Sequence, residues 1–198
     1  MLIEHIYKQD PAIDAIDGKF LFFCNSKVAT QSTVRGVLKG RARTSAFSPG
    51  KYKRIIQSYT LSDIQRLFKF TIVRNPWDRV VSRFFFLQQI RHRRLYKKET
   101  FSNFVKSGLF IKSHIDNHID FQYPKIFFNG GIFIDFIGRF ENMKRDWRII
   151  SSVIGCNPKL PYLNESKHEP YQSYYDEETK AIVADYYRKD IELLGYSF

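Results

Sequence analysis

Cysteine is nearly missing from this 198-residue chain: there are two, Cys24 and Cys156, far apart in sequence. Two isolated cysteines make neither a disulfide framework nor a zinc-binding pattern, so a reducing compartment is the expected setting. Long apolar runs are missing as well. The longest, 131–138, is interrupted by Asp135 and falls well short of the roughly 20 residues needed to span a bilayer. Glu4, His5, Lys8 and Asp10 break up the apolar residues at the start of the chain, so no secretory leader is read there. A soluble, cytoplasmic protein is the expectation. There are no internal repeats and no low-complexity tracts. Acidic residues are in deficit, 20 against 32 basic ones, which leaves +12 with histidine neutral. A field of that sign favours anionic partners such as nucleotides, acidic glycans, nucleic acid or an anionic membrane surface.

The chain is 43% hydrophobic and 17% aromatic, a composition that folds into a globule rather than staying disordered. Its length fits one domain over 1–198 with a sizeable core. The stretch 19–39 organises the rest. Phe20, Leu21, Phe22, Phe23 and Cys24 form an apolar run too short for most helices and rich in aromatics, which predicts a fully buried strand. A polar loop follows over 25–31. Val34, Val37 and Leu38 then recur at helical spacing, with Gly40 as a stop. A strand feeding a helix through a loop of small residues aims backbone N–H groups and the positive helix end at one spot, a site for phosphate or sulfate. The loop is not a Walker A sequence, because Lys27 is followed by Val28 rather than by the hydroxyl that holds magnesium. The expected anion site is therefore metal-free, built on Lys27 and the hydroxyls of Thr30, Ser32 and Thr33. A surface lysine in a plain strand–helix connection has the same appearance.

The same layout recurs downstream. Residues 61–68 fit a short helix with Ser62 as its cap, and 70–73 a second strand running into Arg74-Asn75-Pro76. Asn75 suits an N-cap, Pro76 the first helical position and Asp78 the first turn. The helix continues through Val80, Val81, Phe84, Phe85 and Leu87, with Ser82 two turns in. Arg79 and Arg83 read as solvated helix residues or as part of a ligand crevice at the strand's end. Of two basic runs, 39–54 reads as a loop around Ser48-Pro49-Gly50. The other, 91–98, complements a helix C-terminus or meets a polyanion. Thr100 suits the cap of a short helix ending at Gly108, and apolar runs follow at 126–128 and 132–137. His114 and His118 stand four apart without the glutamate of a metalloprotease helix, so no metal is expected. Met143, Trp147, Ile150 and Ile154 mark an amphipathic helix over 141–154. One last helix runs from a cap at Asp176 through Leu194 to Gly195.

Taken in order, these units resemble the carbohydrate sulfotransferases that use 3′-phosphoadenosine 5′-phosphosulfate (PAPS), over roughly residues 19 to 198. Ser26-Lys27-Val28-Ala29-Thr30-Gln31-Ser32-Thr33 is similar to the family's 5′-phosphosulfate loop, P-K-x-[GA]-x-[TS]-[ST]. Val73-Arg74-Asn75-Pro76-Trp77-Asp78-Arg79-Val80-Val81-Ser82 is similar to its 3′-phosphate signature, V-R-[DN]-P-x-x-R-x-x-S. Asn117-His118 with Gln122 resembles an "H…Q" segment. Residues 136–142 resemble a "DFIGRFE" box, and 187–196 resemble "YxxDxxLFGY". Ser26 stands where proline is common, Gln31 where threonine often sits, and the loop has no glycine.

The resemblance implies an α/β fold: a single domain with a P-loop-like, mostly parallel sheet flanked by helices. It also implies a PAPS donor, a PAP product, a carbohydrate acceptor and no metal. Lys27 would stabilise charge on the leaving bridging oxygen. The loop positions Val28, Ala29, Thr30, Gln31, Ser32 and Thr33 would hold the 5′-phosphate end. Arg74 and Ser82 would take the 3′-phosphate, and His118 would be the base, with His114 in reserve. Lys167, beside His168, would fold over the nucleotide. Nucleic acid is not an expected partner. Eukaryotic relatives usually carry a membrane anchor, whereas this chain looks more like a bacterial cytoplasmic form. From another class, a non-catalytic polyanion-binding module built on the basic surface is the rival. A nucleotide kinase is disfavoured by the missing Walker A hydroxyl.

Overall fold

A computed structural model describes residues 1–2, 4–5, 12–13, 19–28, 60–89, 99–111, 121–160 and 169–198. Several expected features lie outside those residues. They are the loop positions Ala29, Thr30, Gln31, Ser32 and Thr33, the helix after them, the basic runs 39–54 and 91–98, the histidines His114 and His118, and Lys167 with His168. The described residues fall into two compact units. One holds those of 1–25, 60–73 and 124–160, the other those of 26–28, 74–123 and 169–198.

The first unit is a sheet. Strands β1 (Ala12–Ile13), β2 (Phe20–Phe23), β3 (Phe68–Val73) and β6 (Phe136–Arg139) lie side by side in the order β1-β2-β3-β6. β2 and β3 are parallel, as are β3 and β6, while β1 runs antiparallel at the edge. Every side chain of β2 is buried. An uninterrupted apolar strand of this kind belongs to a parallel sheet covered on both faces. Phe22 faces Phe70 across the register, their rings stacked 4.8 Å apart at 10°. Each such buried phenylalanine contributes about 1.5–3 kcal/mol by area alone. The α/β class and the mostly parallel sheet expected from the sequence are what the chain adopts.

β3 starts two residues earlier than expected, at Phe68. Lys69 in that extension is buried, with its ammonium 2.8 Å from Asp135 and 2.8 Å from the Leu67 carbonyl. Asp135 also accepts the Lys69 N–H and donates its own to the Lys69 carbonyl, which sets β6 beside β3. Helix α1 (Leu61–Arg66) precedes β3. Thr60, not Ser62, is its cap: Thr60 Oγ1 accepts the Asp63 N–H and Asp63 accepts the Thr60 N–H, a reciprocal box. A short hairpin, β4 (Phe127–Phe128) and β5 (Gly131–Ile132), turns on Asn129 and Gly130, both at positive φ. Asn-Gly is the dipeptide that such a two-residue turn selects.

Helix α4 (Met143–Ile154) covers the sheet with the expected stripe of Trp147, Ile150 and Ile154. At Gly138 of β6 a Cβ would meet Ile150 Cδ1 of this helix at 3.4 Å and Ile72 Cγ1 at 3.5 Å. A short 3-10 turn (Phe140–Asn142) replaces its expected first residues, and Gly155, left-handed at φ 66, ends it.

The second unit is helical: α2 (Pro76–Gln89), α3 (Phe101–Lys106), α5 (Glu177–Tyr186) and α6 (Arg188–Leu194). Trp77, Val80, Val81, Phe84 and Leu87 of α2 enter one core with Phe104 of α3 and Val183 of α5. Thr100 and Asp176 cap α3 and α5 as expected. The single C-terminal helix expected from the sequence is two, broken at Tyr187 (φ −97, ψ 21). Tyr187 buries its ring there, and Asp190 beyond it turns fully inward.

Candidate functional site

The best-defined cluster of polar side chains begins where β3 hands the chain to α2. Asn75 Oδ1 accepts the Trp77 N–H at 3.0 Å, and Pro76 takes the first helical position, its fixed φ already suited to the turn. Asn75 also donates to the Ser197 carbonyl at 2.8 Å, fastening the C-terminal segment to the helix start. Arg74 precedes this cap. Its guanidinium forks onto Asp78 through Nε (2.7 Å) and Nη2 (2.8 Å), one turn along, and the pair is mostly buried. A side-on fork of this kind fixes the plane of the guanidinium as well as its position. Nη1 of the same group donates to the carbonyl of Lys27 at 3.0 Å.

That bond joins the two motifs read from the sequence. The turn 26–28 is held at two points, by Arg74 ahead of α2 and by Arg79 within it. Arg74 takes the Lys27 carbonyl. Arg79 donates from Nε to the Ser26 carbonyl (3.3 Å) and from Nη2 to the Ser26 hydroxyl (3.2 Å). Lys27 sits in the left-handed region at φ 62, although it is not glycine. Such a conformation costs an L-residue about 1–2 kcal/mol and persists where surrounding contacts over-determine it. The conformational freedom that a loop glycine would supply is thus taken by the lysine itself. Its ammonium rests 3.9 Å from the centroid of the Phe86 ring, a cation–π contact.

Behind these groups lies a buried polar frame. Gln122 accepts the Arg74 N–H and donates to the Arg74 carbonyl, both at 2.9 Å, so its amide pairs with both main-chain polar groups of one residue. The N–H groups of Gln122 and Tyr123 in turn donate to the carboxylate of Asp190 on α6, at 2.8 to 3.0 Å. Asp190 is fully buried, and the Arg79 guanidinium lies 3.8 Å away. Burial pushes the Asp190 carboxyl above the ordinary range, while the Gln122 and Tyr123 N–H groups and the Arg79 guanidinium pull it back only in part. Burial also pushes the Tyr187 hydroxyl well up, beneath the Arg79 guanidinium.

Lys27, Val28, Arg74 and Ser82 are the expected site residues that fall among those described. Lys27 and Arg74 are brought together. Val28 is buried, and Ser82 is buried on α2 one turn beyond Asp78, on the stripe that begins at Arg74. Arg79 and Arg83, readable as solvated helix residues, are not: they are 3% and 2% exposed. Sequence reasoning gave no site role to Phe86 or Asp190, put Asp78 only in the first helical turn, and left Arg79 between a solvated residue and a crevice residue. A helical-spacing signal did link Arg79 and Phe86 through Arg83, at intervals of four and three. Asp190 had none, because its partners are distant in sequence. Among the described residues there is no group of three or more His, Cys, Asp or Glu side chains poised to hold a metal, and no helix long and apolar enough to cross a membrane.

The family model described as "Sulfotransferase family" matches residues 21–197, which includes both motifs and the Asp190 segment. No curated protein matches the chain. Enzymes of this family move a sulfuryl group from an activated donor to an acceptor. A match over nearly the whole length shows the family, and the chain belongs to the sulfotransferase family.

Proposed function

We propose that the chain moves a sulfuryl group from PAPS to a hydroxyl of a carbohydrate acceptor, as one sulfotransferase domain over 1–198. The observation that carries this reading is the bond from Arg74 Nη1 to the Lys27 carbonyl at 3.0 Å. It holds a lysine and an arginine, each suited to one phosphate end of the donor, within one hydrogen bond of each other. In the proposed reaction the acceptor oxygen attacks sulfur in line, forming one S–O bond as the bridging S–O bond to the nucleotide breaks. The electron pair leaves on the 5′-phosphate of PAP, where Lys27 stabilises it as a preorganised cation. The acceptor proton passes to a general base, assigned to His118. Val28, Ala29, Thr30, Gln31, Ser32 and Thr33 are assigned to the 5′ end, Arg74 and Ser82 to the 3′-phosphate, and Lys167 to a segment over the nucleotide. A reducing, cytoplasmic setting belongs to the same reading, in keeping with a sequence that carries only two cysteines, far apart.

Calorimetric titration with adenosine 3′,5′-bisphosphate, with and without a chelator, tests it. Micromolar-class binding that ignores the chelator and is lost in Arg74→Ala is expected, together with sulfate transfer from PAPS onto at least one member of a glycan panel. Salt-sensitive binding to heparin with no preference for the 3′-phosphorylated nucleotide would instead mark a polyanion-binding module.

A further inference from the structure

The turn 26–28 has a specific mechanical requirement. A trans peptide sets its C=O and N–H in opposite directions, and no peptide here is cis. The Ser26 and Lys27 carbonyls both point at guanidinium groups of the α2 region. The N–H groups of Lys27 and Val28, on the far sides of those same two peptides, therefore point away from the arginines. Adjacent N–H groups aimed one way are the elements of an anion-binding concavity. What aims them is the pair of grips on the carbonyls. Arg74 supplies one. The other is Arg79, a buried cation held between the Ser26 end of the turn and the carboxylate of Asp190, with its guanidinium 5.7 Å from the Tyr187 ring.

We propose that Arg79, clamped by Asp190, is a positioning residue for the donor's 5′ end: by holding Ser26 it sets the left-handed turn at Lys27 and the direction of the Lys27 and Val28 N–H groups before an anion arrives. The inference rests on the proposed reading that this turn receives the 5′-phosphosulfate. Arg79 itself touches no donor atom. Its two nitrogens on Ser26 require the planar fork of a guanidinium, which a lysine ammonium does not reproduce although it keeps the charge beside Asp190.

The test compares two ligands on the full-length chain. Adenosine 3′-monophosphate probes the 3′ end alone, whereas adenosine 3′,5′-bisphosphate adds the 5′-phosphate, so the ratio of their dissociation constants reads the grip of the turn. In Arg79→Lys that ratio falls by about tenfold, while affinity for the 3′-monophosphate stays at the wild-type value. Ser26→Ala deletes only the hydroxyl that Arg79 Nη2 meets, and lowers the same ratio by about threefold. It keeps the proposal testable should Arg79→Lys fail to fold. Equal weakening of both ligands would reduce Arg79 to a structural residue and overturn the proposal, and an unchanged ratio in both variants would do the same. If the wild-type chain gains nothing from the 5′-phosphate, the donor reading itself fails and takes this inference with it.

Discussion

The two units differ in what dominates their centres, although the sheet unit too encloses a charge, Lys69 paired with Asp135. In the sheet unit the central contacts are apolar: Phe20, Phe22 and Phe68 all pack their rings on Phe70. The helical unit also has an apolar core, but it buries Arg74, Arg79, Arg83 and Asp190 as well. A buried ion pair is a poor device for stability, because removing two charges from water offsets most of their attraction. Phenylalanine stacking needs no such compensation. The sheet unit is therefore arranged for burial. The helical unit keeps charges whose spacing serves the turn at Lys27, and a fold would dispense with them if stability were their only use.

The comparison breaks most visibly under two substitutions. Phe70→Ala removes the ring that three others share and leaves a cavity in a close-packed sheet, a loss of about 3–5 kcal/mol in unfolding free energy measured by urea denaturation. The fraction that remains folded keeps its nucleotide affinity. Lys27→Ala does the reverse. It keeps a Cβ in the left-handed turn, so the backbone strain is unchanged, and it removes the contact with the Phe86 ring at little cost to the fold, so the melting temperature stays near the wild-type value. Sulfate transfer from PAPS, followed as kcat, falls by about 10²–10³. Transfer at the wild-type rate in Lys27→Ala would remove the lysine from the chemistry.

The same contrast governs what could be read in advance. Features set by neighbours in sequence were legible: the strand 20–23, the Asn75-Pro76 helix start, the caps at Thr100 and Asp176 and the Trp147–Ile150–Ile154 stripe follow from local steric and capping rules. So was the family likeness, because the Arg74 and Ser82 signature is contiguous. The burial of Arg79 was not legible. A guanidinium in a helix reads as solvated until a distant carboxylate is known to face it, and Asp190 lies on the last helix. The early start of β3 was hidden for the same reason, since Lys69 is met by Asp135, just ahead of β6. The break at Tyr187 hid because one residue both ends α5 and starts α6, its N–H bonding the Val183 carbonyl and its carbonyl accepting the Ile191 N–H.

A third experiment separates stability from positioning within the helical unit. Arg79→Met leaves the Asp190 carboxylate buried without its guanidinium, which costs about 2–3 kcal/mol given the 3.8 Å separation of the pair. Adding Asp190→Asn removes the stranded charge while keeping an oxygen for the Gln122 and Tyr123 N–H groups, and it restores part of that loss. The advantage of the 5′-phosphate in nucleotide binding stays lost in both variants. Recovery of stability without recovery of that advantage is the expected pattern, and recovery of both would make the pair merely structural.

The smallest expected effect is a pH dependence whose sign decides what Asp190 contributes. Burial is the largest influence on its carboxyl and raises the folded pKa above the ordinary value. The protonated form is therefore the better tolerated one in the fold. Its favourable contribution is complete below the unfolded pKa of about 4 and is lost as pH rises through the raised folded value. Unfolding free energies of wild type and Asp190→Asn, measured by urea denaturation across that range, should differ by an amount that falls as pH rises and then levels off. The ionised carboxylate is then a net cost at neutral pH, tolerated because it clamps Arg79. A difference that rises with pH would mean instead that Arg79 and the two amide donors outweigh burial, making the pair a stabilising element like the phenylalanines of the sheet.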